Sequence, residues 1–299
     1  MILLLPDFVQ SQNPCDPGDD DGCHGCGDPD NDGNDDGDRF NVPRVHAVDP
    51  NLIDGPVGYD SLLQWMSIKD RLRYTVYFEN DPDFATAPAQ IVRIDVPVDS
   101  NLNIYSVRLG NFGFGYFNYE VPENTSFYQQ RLTNTADSLN VWVDVTAGID
   151  VVNHKIFWLF ESIDPATGLP PEDALTGFLP VNDTSVNIYN DTLPKRGEGY
   201  VLFSVVPESS LVTGDSVRAQ ASIVFDINAP LETNIWRNHI DAFAPESQMN
   251  SLPGAIPSNT LWLSWSGSDD PGGTGVDYYD LYVSRDGGPY LLHAGNIDT

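Results

Sequence analysis

Four stretches of this chain alternate apolar and polar residues with a period of two, and this constrains its fold more than any other feature. Leu72, Tyr74, Val76 and Phe78 share one face, opposite Arg71, Arg73, Thr75, Tyr77 and Glu79. Ile94, Val96 and Val98 alternate with Arg93 and Asp95, and Val141, Val143 and Val145 with Asn140, Trp142 and Asp144. Val217, Ala219, Ala221, Ile223 and Phe225 alternate with Arg218, Gln220 and Ser222. Successive side chains of a strand point to opposite sides, so such runs fit antiparallel sheets with one face on a core. The 23 Pro and 25 Gly residues punctuate them. The expected class is all-β, with Ig-like β-sandwich modules. Only Ser61 to Leu72 can form a helix, a short one, through Leu62, Leu63, Met66 and Ile68.

The 299 residues are 40% hydrophobic, enough for a substantial core. Against 44 Asp and Glu stand only 14 Lys and Arg, a net charge of −30. Nucleic acid and anionic membrane surfaces are poor partners for such a chain, because phosphate binding needs Lys and Arg. No apolar run approaches the roughly 20 residues that span a bilayer. Met1 to Pro6 is apolar but lacks a basic flank and is shorter than a signal-peptide core. It reads as the remnant of a signal, as a clipped end, or as an apolar strand that docks on another chain. On the last reading Ile2, Leu3, Leu4 and Leu5 are the assembly candidates.

Ten Asp residues lie between Asp16 and Asp38 with no basic residue among them. Asp28, Asp30 and Asp32 followed by Gly33 give the first half of an EF-hand loop, and Asp32, Asn34, Asp36 and Gly37 give an overlapping register. Alternate residues of a tight loop aim their carboxylates at one centre, and the Gly permits the turn. Asp28, Asp30, Asp32, Asn34, Asp36 and Asp38 are therefore the candidate calcium ligands. Arg39 stands where an EF-hand places its bidentate Glu, and no helix-forming sequence flanks the loop. The pattern resembles thrombospondin type 3 and dockerin-like calcium loops of secreted multidomain proteins. The plain alternative is a solvated acidic linker.

Cys15, Cys23 and Cys26 all fall in the same stretch. Gly27 after Cys26 rules out c-type haem attachment. Zinc held by the three thiols and His24 is awkward, because structural sites use two separated ligand pairs. A disulfide from Cys15 to Cys23 or Cys26 is the simpler reading in an oxidising compartment. The third thiol is then free or paired with another chain.

The stretches Tyr74–Pro82, Ala85–Gln90, Gly197–Val201 and Thr213–Asn228 resemble a largely uncharacterised module of large bacterial secreted proteins, over roughly residues 45 to 240. The resemblance implies an extracellular surface protein and carries no catalytic residues. Leu261–Asp270 and Tyr279–Gly288 resemble fibronectin type III or related Ig-like modules, with an early-strand Trp and an Asp-Gly turn. Such a sandwich takes about 100 residues and seven strands. Only 57 follow Ala242, so its last strands are expected to be missing or supplied by a neighbouring chain. The expected organisation is an apolar strand over 1–10 and a calcium-binding segment over 11–41. A sandwich region over 42–242, one large or two packed, and a partial module over 243–299 follow.

No H-E-x-x-H, G-x-S-x-G, phosphate loop or dinucleotide fingerprint is present. Glu79, Asp81, Glu161 and Asp164 are the first suspects for a glycosidase pair, but turn formation is the better reading of acidic residues beside Asn and Pro. The aromatic run Phe112–Tyr119 would suit sugar stacking if exposed, and is an ordinary hairpin if buried. Asn124, Asn182 and Asn190 each begin a glycosylation triplet. The expected function is non-enzymatic: a secreted, calcium-stiffened surface module that associates head-to-tail into a filament. The alternatives are an adhesin that binds carbohydrate or protein, and an ancillary domain of a larger secreted enzyme.

Overall fold

The computed structural model describes residues 2–7, 51–60, 62–182, 196–255 and 260–298. Strand β1 spans Ile2–Asp7, β2 Leu52–Asp54, β3 Trp65–Ser67, β4 Leu72–Glu79, β5 Ile91–Pro97, β6 Leu102–Phe114 and β7 Phe117–Tyr119. Next come β8 at Phe127–Leu132, the helical turn α1 at Ala136–Leu139, β9 at Trp142–Asp150 and β10 at Lys155–Ile163. Then follow β11 at Glu198–Pro207, β12 at Ser216–Ala219, β13 at Ser222–Phe225, β14 at Leu231–Glu232 and β15 at Trp236–Asp241. The C-terminal strands are β16 at Glu246–Met249, β17 at Trp265–Ser268, β18 at Tyr278–Ser284 and β19 at Tyr290–Asp298. The protein is all-β.

A six-stranded sheet, β14-β13-β5-β10-β9-β8, faces a five-stranded sheet, β2-β4-β11-β6-β7, and a three-stranded sheet, β12-β15-β3, completes the sandwich. Alternation along β4, β5 and β9 buries the apolar residues that the sequence sets on one face. Their side chains form one core running from Ile53 to Ile240. Aromatic rings tie its halves together. Phe160 of β10 lies 5.8 Å from Phe78 of β4 and 5.7 Å from Phe112 of β6, and Trp158 lies 6.0 Å from Phe203 of β11. Pairs in this range add about 0.5–1.5 kcal/mol each beyond the area they bury. Gly199 has to be a glycine, because a Cβ there would stand 2.2 Å from the Phe78 ring.

The fourth alternating run does not form a single strand. It leaves one sheet after Ala219 and enters another at Ser222, where β13 pairs with β5. Thr233 holds the crossover, donating its N–H to Ala221 O, accepting Ala221 N–H on Oγ1 at 2.9 Å and taking Gln220 Nε2–H on its carbonyl. Strands that switch sheets are how such sandwiches turn their corners.

The helix expected over Ser61–Leu72 is not formed. Asp60 and Gln64 have positive φ, Leu62 N–H bonds Asp60 Oδ1, and Tyr59 and Trp65 bridge across a tight turn. The chain then enters β3, which pairs parallel with β15. Leu62 is 88% exposed, so the apolar spacing that suggested a helical face serves instead a turn followed by a strand.

A second, smaller core lies in the C-terminal part, where Tyr279 and Leu281 are buried against Met249, Leu263, Trp265, Val276, Val283, Ala294 and Ile297. β16 pairs with β17, and β18 with β19 through a turn in which Asp286 and Gly287 both have positive φ. That conformation suits a tight hairpin, so the Asp-Gly turn read from sequence is present. The third strand of this sheet is β1, from the opposite end of the sequence.

Candidate functional site

Two features of the C-terminal part bear on function. β1 pairs antiparallel with β18 in unbroken register from Ile2 opposite Val283 to Asp7 opposite Tyr278. It lies at the edge of the sheet β1-β18-β19 and also approaches β16 of the facing sheet. Without β1 the sheet would be a lone hairpin, and two-stranded hairpins are marginal in water. The strand carrying Ile2, Leu3, Leu4 and Leu5 is thus an edge strand of the module in which sequence reading expected missing strands.

The second feature was not expected. Asp241, the last residue of β15, meets Asp269 and Asp270, which follow β17, with one carboxylate oxygen of each within 4.8 Å of the others. Asp241 is only 1% exposed. Its Oδ2 accepts Thr274 N–H at 2.9 Å and Thr274 Oγ1–H at 2.7 Å, while Asp269 Oδ2 accepts Gly275 N–H at 2.8 Å. The Oδ1 atoms of Asp241, Asp269 and Asp270 are buried without a hydrogen-bond partner. Burial, followed at smaller size by the facing charges of Asp241 and Asp270, raises the Asp269 carboxyl above the ordinary carboxylate range, although the Gly275 and Asp270 N–H groups pull it down. Sequence offered one signal for this cluster: Asp269-Asp270-Pro271-Gly272-Gly273 is an acidic pair entering a Gly-rich loop. The contribution of Asp241 is a matter of tertiary structure alone.

The residues singled out from sequence as calcium ligands, Asp28, Asp30, Asp32, Asn34, Asp36 and Asp38, lie outside the described residues, as do Cys15, Cys23 and Cys26. Of the four acidic residues suspected of catalysis, Glu161 lies in β10 and the other three have local structural roles. Asp81 Oδ1 accepts Asp83 N–H, and Asp164 accepts Ala166 N–H and Thr167 Oγ1–H, both as turn formers. Glu79 is buried and takes Asn182 Nδ2–H on Oε1 at 2.6 Å. The aromatic run is a hairpin, with Phe112 and Phe114 in the core and Tyr116 exposed at 56%. Asn182 is buried, which closes it to glycosylation.

Residues 182–239 match a domain of unknown function, DUF7619. That span contains Gly197–Val201 and Thr213–Asn228, two of the stretches that carry the sequence resemblance. A search of the curated proteins gives no match. Among solved structures, the C-terminal domain of the Streptococcus agalactiae AgI/II polypeptide BspA is 10% identical, with 73% of this chain and 55% of that one covered at a TM-score of 0.32. The C-terminal domain of the Streptococcus pyogenes antigen I/II-family protein AspA is 11% identical, covering 78% and 63% at 0.36. The T6 backbone pilin of serotype M6 Streptococcus pyogenes is 12% identical, covering 81% and 50%, also at 0.36. The chain thus spans between half and two thirds of the length of these proteins. Likenesses at such TM-scores carry nothing about function to this chain.

Proposed function

We propose that the protein is a non-enzymatic, extracellular structural module of a bacterial surface assembly, and that it joins copies of itself head-to-tail by exchanging β1. One observation supports this reading above the rest: the N-terminal strand is an edge strand on β18, at the far end of the sequence. Strand addition to an open sheet edge is a general mode of protein association, because main-chain hydrogen bonds supply affinity whatever the side chains. The same β1–β18 contact made between chains is heterologous, and a heterologous contact that does not close into a ring gives a filament. Calcium held by Asp28 to Asp38 then stiffens the segment between β1 and the sandwich, since ten aspartates between Asp16 and Asp38 repel one another unless cations neutralise them.

The adhesin reading has less support, since the aromatic run proposed for stacking places Phe112 and Phe114 in the core. Negative-stain electron microscopy of the concentrated protein, with calcium and then with excess chelator, tests the proposal. Fibres in calcium that fray on chelation are the expected result. Single particles in both conditions would overturn it.

A further inference from the structure

We infer that Asp241, Asp269 and Asp270 form a second calcium site, one that clamps the C-terminal module to the large sandwich. This inference is independent of the polymer proposal and of the Asp28–Asp38 segment. A cluster of carboxylates is unremarkable where water solvates it, but this one is not solvated in that way. Asp241 is almost fully buried, and its Oδ1 has no donor. The Oδ1 atoms of Asp269 and Asp270 are buried and unpartnered beside it. Leaving one such oxygen unsatisfied is costly, and three neighbouring carboxylates add repulsion to desolvation. Among the described residues no Lys, Arg or His is ion-paired with any of the three.

A cation resolves all three deficits together. Oxygens within 4.8 Å of one another fit around a single ion, because calcium takes its ligands at about 2.4 Å, so oxygens across it stand about 4.8 Å apart. The donors are all hard oxygens with no nitrogen or sulfur among them, which favours calcium or magnesium over zinc or copper. Calcium is the better fit, since its coordination tolerates irregular sets completed by water and carbonyls, whereas magnesium demands a near-ideal octahedron. The supporting shell is in place. Thr274 and Gly275 hold the Oδ2 atoms of Asp241 and Asp269, which leaves each Oδ1 available. Gly273 permits the close approach, because a Cβ there would lie 2.8 Å from Asp269 Oδ2 and 3.3 Å from both oxygens of Asp241.

The position gives the ion a mechanical role. Asp241 ends β15, whose backbone is tied to β3 and, through Asp241 O and Ile68 N–H, to the large sandwich. Asp269 and Asp270 belong to the loop between β17 and β18. Thr274 already bonds Asp241 across this seam, and an ion shared by both sides replaces the carboxylate repulsion there with attraction, so calcium stiffens the junction.

The test uses the full chain and variants of the two half-buried loop aspartates, so that the buried Asp241 stays intact. Bound calcium per chain is counted by equilibrium dialysis for wild type, Asp269→Asn and Asp270→Asn, and thermal midpoints are measured in calcium and in chelator. Each variant is expected to lose one calcium ion per chain. In chelator each should melt at or above wild type, because a repulsive charge has gone, and in calcium each should melt below it. A chain with Asp28, Asp30 and Asp32 changed to Asn should keep that ion, which separates this site from the N-terminal segment. Equal calcium counts for wild type and both junction variants, with an unchanged calcium-dependent gain in midpoint, would overturn the inference. If one variant fails to fold, the other decides.

Discussion

Phe160 packs between the two large sheets, with the rings of Phe78, Phe112, Phe114 and Phe178 around it at centroid distances of 5.7 to 6.1 Å. It has no solvent exposure, and the four rings around it come from three different segments, β4, β6 and the loop at Phe178, that cannot all collapse into the space it would leave. Phe160→Ala is expected to cost about 3–5 kcal/mol, as large-to-small changes at well-packed aromatic positions do. Urea unfolding checks it, and a loss below about 1 kcal/mol would mean that the sheets do not meet there. The facing set was partly legible beforehand: Phe78 falls in an alternating run and Phe112 in a conspicuous aromatic cluster. Phe178 was not, because it sits in a stretch rich in Pro, Gly and Asp that carries no periodicity. It is held there by long-range contacts, the Ala89–Leu179 bridge, Phe178 N–H on Ser162 Oγ and Asn80 Nδ2–H on Leu179 O. Asp241 belongs to the same class, since no local pattern tells a carboxylate at a strand end that two others will meet it from a distant loop.

At the scale of elements, periodicity identified the strands but not their sheets. The run from Val217 to Phe225 buries every alternate residue and still divides between two sheets at Gln220 and Ala221. What decides the division is Thr233, whose hydroxyl takes the Ala221 N–H and donates to Asn234 O. Thr233→Val keeps the shape and removes both bonds, leaving a buried N–H unpaired at a cost of about 1–3 kcal/mol. Amide hydrogen exchange at Ala221 should accelerate in step with that loss. Unchanged exchange would place the crossover's support elsewhere. The failed helix over Ser61–Leu72 has a related cause: apolar spacing carried the expectation, while backbone chemistry decided the outcome. Gln64 takes a positive φ inside the stretch and Asp60 another just before it, and a backbone in that left-handed region cannot continue a right-handed helix.

In sequence an acidic segment separates the first strand from two β-rich cores, and that strand pairs with β18 of the second core's module. On the proposed account that pairing is exchangeable, and the apolar edge of one copy completes the sheet of the next. Sequence indicated both halves of the contact, an apolar leading run and a module short of strands, but not that they fit each other. Only pairing in three dimensions brings residue 4 to residue 281.

Leu4 and Leu281 are directly opposed in the antiparallel register, and opposed positions lie close enough across a ladder to cross-link. The decisive measurement is oxidative cross-linking of a chain carrying Leu4→Cys and Leu281→Cys, with Cys15, Cys23 and Cys26 changed to Ser. The oxidised protein is resolved on a denaturing, non-reducing gel at high concentration in calcium. The account predicts a ladder of multimers that collapses to monomer on reduction. A single band of internally cross-linked monomer would show that β1 closes on its own chain and would contradict it.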